Sequence, residues 1–208
     1  MERRIASMST KLAFVINTAI FISTPHRGSS LATSLPGLIG ARLSACPRII
    51  EELAKSFVTE NIDLLKPEFA AFVANKVNSI STLRPDSPVT GMLANFPIDR
   101  HVTFHTISGI KRNPLGKINE PPTDGIVPLS SAVLPGADCE VGVYSGHGAH
   151  TTDEAIQVVQ SLLKLHIGVL TEAEVAETIK GMGLPFSRYN GMNLTPPASP
   201  ALKIQLLP

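Results

Sequence analysis

Three observations predict an α/β protein built on a parallel sheet. Short β-branched and aromatic runs stand at residues 19–23, 102–108 and 140–144, each followed by a Pro-, Gly- or Ser-containing loop. Segments of helical periodicity fill the first gap and follow the last run. Together these give the order strand, long helical insert, strand, loop, strand, helix. Strands alternating with helices imply crossover connections and hence parallel pairing. Only about three strands are visible, few for a stand-alone sheet of this kind.

The elements follow in order. Ala19-Ile20-Phe21-Ile22-Ser23, with a start near Leu12, reads as a strand buried on both faces and ending at Thr24-Pro25. Arg3, Arg4 and Lys11 before this apolar run superficially resemble a signal peptide. Asn17 and Thr18 interrupt it, however, and no small-x-small cleavage site follows. It is also too short to span a membrane, which takes roughly 20 apolar residues. The compartment stays open, with the cytoplasm slightly favoured.

Residues 31–95 have a helical texture: Ile49-Ile50-Leu53-Ala54-Phe57 and Phe69-Phe72-Val73-Val77 recur at helical spacing, punctuated by prolines. Asp86-Ser87-Pro88 is a helix start with a capping side chain and a first-turn proline. After the second strand, residues 111–123 form a loop, and Pro135-Gly136-Ala137-Asp138 turns into the third. Thr151 and Glu154 have capping-box spacing, opening a helix through Ile156, Val159, Leu162, Leu163 and Ile167. A second box, Thr171 with Glu174, opens a shorter helix closed by Gly181 or Gly183. Residues 184–208, with five prolines, read as an extended or mobile tail.

Bulk composition narrows the function. A chain of 208 residues with 43% hydrophobic residues and a formal net charge of +1 is an ordinary globular protein, not a disordered one. That charge offers no attraction to nucleic acid or anionic membranes, and 5% aromatics without tryptophan supply few base-stacking surfaces. Cys46 and Cys139 are far apart in no zinc-type spacing and read as two reduced thiols, a disulfide staying open if the protein is exported.

Three segments carry chemistry. Ser23 to Ser29, STPHRGS, places polar groups at the carboxyl end of a strand, where open α/β sheets bind ligands; a tight turn exposing His26 and Arg27 is the plainer alternative. In PPTDGIVPLSSA, residues 121–132, Asp124-Gly125 marks a turn, and Asp124 is either a solvated turn residue or a carboxylate at the edge of packed structure, able to accept an imidazole N–H. In SGHGAH, residues 145–150, Gly146 and Gly148 allow sharp turns on both sides of His147. His147, His150 and Asp124 or Asp153 are also conceivable metal ligands, yet glycines rather than further ligands surround them.

In this order and spacing, FISTPHRGS, LRPDSP (residues 83–88), TDGIVPLSSA and SGHGAH resemble a bacterial group of α/β-hydrolase esterases and lipases, over roughly residues 12–168. The resemblance implies the C-terminal portion of an α/β-hydrolase fold, with about three parallel strands, flanking helices and a helical cap insert at about 31–95. Residues 1–170 would form this partial domain and 171–208 the terminal helix and tail. By the same resemblance Asp124 is the triad acid and His147 the base, with His150 in reserve because both histidines share one loop. Acid before histidine matches the chain order of that fold.

The nucleophile is the departure. No G-x-S-x-G stands in these 208 residues, so the elbow serine and oxyanion amides are expected upstream of the first strand. The expectation is therefore a fragment of an ester hydrolase, inactive or nearly so alone: a truncated gene, a mis-called start, or half of a split enzyme. A non-catalytic interaction or folding module on the same scaffold is the alternative. The resemblance implies a small ester or lipid substrate, and no cofactor or metal. It further implies an exposed edge on the first strand, open to self-association or to an N-terminal half.

Overall fold

A computed structural model of the chain describes residues 16–33 and 79–195, with scattered positions between 52 and 67. These residues form a mixed five-stranded sheet with flanking helices, an α/β arrangement. Strands β1 (Thr18–Ile22), β2 (Thr103–Gly109) and β3 (Cys139–Val143) lie side by side and parallel, at the three runs read as strands. Strands β4 (Phe186–Tyr189) and β5 (Met192–Asn193) then extend the sheet antiparallel.

The last two strands correct the sequence reading, which ended the sheet at β3 and left residues 184–208 as a tail. Asn190-Gly191 forms the two-residue turn between them, with φ of 45° and 77°. Both angles are positive, as a turn that follows the right-handed strand twist requires. Residues 196–208 lie outside the described residues. So do residues 1–15, Cys46 and most of the 31–95 insert, of which the 3₁₀ turn Ile62–Leu64 and the helices α1 (Ser79–Thr82) and α2 (Pro88–Ala94) are described.

Side chains alternate across a strand, so register assigns each residue a face. Ile20, His105 and Cys139 line up across β1 to β3, as do Ile22, Ile107 and Val141. Two helices cover this face, α4 (Asp153–His166) and α5 (Glu172–Gly181), whose Ala155, Val158, Leu162, Val175 and Ile179 close the main core. Each large apolar side chain so buried contributes roughly 1.5–3 kcal/mol. The short helix α3 (Leu129–Ala132) covers a smaller cluster of Ile110, Leu129, Val133 and Phe186. Cys139 is a free thiol in the main core, and burial pushes its pKa up to about 12.

The helix starts compare unevenly with their sequence signals. The box at Thr171 and Glu174 is present, with both reciprocal bonds made. At α4 the cap is Thr152 rather than Thr151: a 3₁₀ turn, Ala149–Thr151, absorbs Thr151, and Thr152 accepts the Ala155 N–H at 3.2 Å. Helix α2 does begin at Pro88, but no side chain caps it. Asp86 is held by Arg84 in a two-pronged pair at 2.9 and 2.7 Å, and the buried Ser87 hydroxyl has no partner among the described residues.

Candidate functional site

Parallel strands deliver their carboxyl ends to one edge of the sheet, and the three chemistry-bearing loops all leave from there. At the end of β1, Ser23 is buried at φ 48°, donates its backbone N–H to Ile107 at 2.8 Å, and its hydroxyl accepts the Gly109 N–H at 3.4 Å. Neither His26 nor Arg27 hangs free in the loop that follows. The Arg27 guanidinium donates to the carbonyls of Ser130 at 2.9 Å and Val133 at 3.2 Å. Ser131 accepts the Arg27 backbone N–H at 3.0 Å and donates to the Gly28 carbonyl at 2.6 Å. His26 stands edge-on to Phe21, ring centroids 4.8 Å apart, and burial, aided by Arg27, lowers its pKa to about 4.

Gly28 explains how this loop meets the 83–88 stretch. Its φ is 78°, and a Cβ there would stand 2.7 Å from the Leu83 carbonyl and 2.8 Å from the Pro85 nitrogen. Only glycine permits that backbone angle together with that approach.

Asp124 sits in a tight turn beyond β2 and is 3% exposed, which excludes the solvated-turn alternative. Its Oδ1 accepts the backbone N–H groups of Ile126 at 2.8 Å and Val127 at 2.6 Å. Its Oδ2 lies 2.9 Å from Nδ1 of His147, on the loop that leaves β3. The His147 side chain is 46% exposed, so a buried carboxylate grips one ring nitrogen while much of the ring faces solvent. With Nδ1–H donating to the carboxylate, Nε2 carries the lone pair and is the basic nitrogen. His150 stands in the Ala149–Thr151 turn, exposed, and makes no bond to Asp124. Among the described residues no group of three His, Cys, Asp or Glu side chains is assembled to hold a metal ion.

Two features of this edge escaped the sequence reading. At Gly109, the last residue of β2, a Cβ would collide with the Gly146 carbonyl and stand 2.9 Å from the Asp124 Cβ. The absence of a side chain there lets the acid loop and the histidine loop close on each other. The Arg112 guanidinium lies 3.3 Å from the ring centroid of Tyr144, which begins the histidine loop. Such stacking is worth roughly 0.5–1 kcal/mol at an exposed site and ties the same two loops together. A glycine ending a strand was the available signal for the first; the second joins residues 32 apart in sequence, and no local pattern announces it.

No protein family, curated protein or solved structure matches this chain.

Proposed function

We propose that Asp124 and His147 are the acid and the general base of a serine-type hydrolase acting on carboxylic esters, on the C-terminal portion of an α/β-hydrolase fold. The observation that carries this reading is the 2.9 Å contact between Nδ1 and a carboxylate that is buried and held by two backbone amides. An aspartate so fixed sets the imidazole tautomer and stabilises the imidazolium that forms when His147 takes the nucleophile's proton. The location fits as well, because α/β sheets gather their reactive groups at the carboxyl ends of parallel strands.

The nucleophile is not among these groups. The chain has no G-x-S-x-G, and among the described residues no hydroxyl is hydrogen-bonded to His147. The proposal therefore assigns the serine and the oxyanion donors to a polypeptide segment outside these 208 residues, paired with this sheet. The 31–95 insert would serve as the cap over the ester. The missing nucleophile favours one other reading, a scaffold that binds a partner without catalysing.

The experiment uses a fluorophosphonate probe and a p-nitrophenyl ester with the full chain. Alone, it should leave the probe unreacted and hydrolyse the ester at background rate; stoichiometric serine labelling would refute the assignment of the nucleophile. A complex reconstituted with a segment bearing G-x-S-x-G should hydrolyse the ester. His147→Ala should then reduce kcat by roughly 10⁴-fold or more, because triad members act as a unit. An assembled complex whose hydrolysis is indifferent to His147 would leave the scaffold reading standing.

A further inference from the structure

At the opposite edge of the sheet, a cleft of about 200 Å³ opens between the first residues of β1 and β2, the last turn of α4 and the start of α5. It is separate from the Asp124–His147 pair and none of its residues was singled out for chemistry by the sequence. Its lining is unusual in charge: Asp138 and Glu172 contribute carboxylates, and among the described residues no lysine or arginine lines it. Each carboxylate is positioned through one oxygen only. Asp138 Oδ2 accepts the Phe104 N–H at 3.1 Å and Glu172 Oε2 accepts from the Asn190 side chain at 3.1 Å. The carbonyl end of α4 adds partial negative charge to the same space, while the amino end of α5 adds partial positive charge that Glu172 offsets.

His105 supplies an independent observation. Register places it on the helix-covered face of β2, it lines the cleft, and it is 2% exposed, yet its Nδ1 has no hydrogen-bond partner among the described residues. Burial lowers its pKa against the opposing pull of Asp138, so the ring is neutral at physiological pH, with one nitrogen able to accept a hydrogen bond. A buried polar atom without a partner is costly, and a ligand that donates to it removes that cost. His166 at the cleft mouth is already held by the Thr18 hydroxyl, 2.7 Å from its Nδ1. Leu162 and Leu165 form an apolar wall.

We propose that this cleft binds a small organic ammonium ion, with Asp138 and Glu172 as its counter-charges, His105 accepting one of its N–H groups and the two leucines against its carbon chain. A bare metal ion is disfavoured because no group of three ligating side chains is assembled among the described residues. At about 200 Å³ the cleft is below the usual size of drug-like sites.

The test titrates the full chain with n-butylammonium chloride at fixed ionic strength while NMR follows the imidazole resonances of His105 and His166. A saturable shift with half-saturation on the order of 1 mM is expected, at least about tenfold weaker in Asp138→Asn. That variant keeps an acceptor for the Phe104 N–H; thermal unfolding checks its fold, and Glu172→Gln replaces it should it unfold. n-Butanol, the same chain without charge, should not saturate. Three outcomes each overturn the proposal: no saturation below about 50 mM, equal binding of n-butanol, or undiminished affinity in the folded carboxylate variants.

Discussion

Both carboxylate oxygens of Asp124 are engaged, one by two backbone amides and the other by His147. This double hold fixes the plane of the carboxylate, and through it the orientation of the imidazole. His26 stands in a different environment, without a carboxylate partner among the described residues. His26 is half-buried with its Nε2 unpartnered among the described residues, and it resists protonation until about pH 4. The unfolded chain takes up the same proton near the ordinary value of 6.5. Between these values the unfolded state binds more protons, so stability is complete above about pH 6.5 and falls as pH drops toward 4. The buried His105, also shifted downward, adds in the same direction. Denaturant midpoints at pH 7.5 and 4.5 should show this loss, and His26→Gln should narrow the difference. An identical drop in both proteins would remove His26 from the account.

Among the elements, β4 shows how a strand unforeseen in the sequence is anchored. Its Arg188 lies opposite Glu140 of β3 in the strand register, and the two side chains pair at 3.1 Å. Glu140 is 3% exposed, and burial raises its pKa despite the neighbouring guanidinium, so the arginine offsets a carboxylate in a costly place. Replacing it with methionine strands that charge. Since Arg188 itself is a third exposed, Arg188→Met should cost roughly 2–3 kcal/mol at pH 7, at or below the lower end of the range for broken buried pairs. Acidification should ease the penalty as Glu140 protonates. A urea melt in which the variant matches the parent at pH 7 would contradict it. The helix caps teach a related point: Thr171 was readable because its box is self-contained. The α4 start moved by one residue because the histidine loop closes as a 3₁₀ turn before it.

For the whole molecule, the decisive feature is the outer edge of β1, which has no strand partner among the described residues. Unpaired N–H and C=O groups in a strand rich in β-branched and aromatic residues are a template for another strand. The proposed hydrolase would use this edge to seat the segment carrying its nucleophile. In the absence of that segment, the chain is expected to associate with itself at micromolar concentration. Sedimentation velocity over a hundredfold dilution should show dimers or larger species that dissociate at the low end; a monomer throughout would argue that the edge is already satisfied.

Local order along the chain determined a good deal by itself. The three parallel strands were legible as β-branched runs ending in Pro or Gly loops, and the box at Thr171 and Glu174 marked its helix, because such signals depend only on near neighbours. The Asn190-Gly191 turn is equally local, since its two positive φ angles suit these residue types. Tertiary structure alone decided the rest: that Asp124 is buried rather than solvated, that His147 and not His150 meets it, and that Gly109 leaves room for the two loops to touch. Those outcomes depend on strand register, which brings together groups 23 residues apart in the chain, and side-chain type at either position carries no record of that distance.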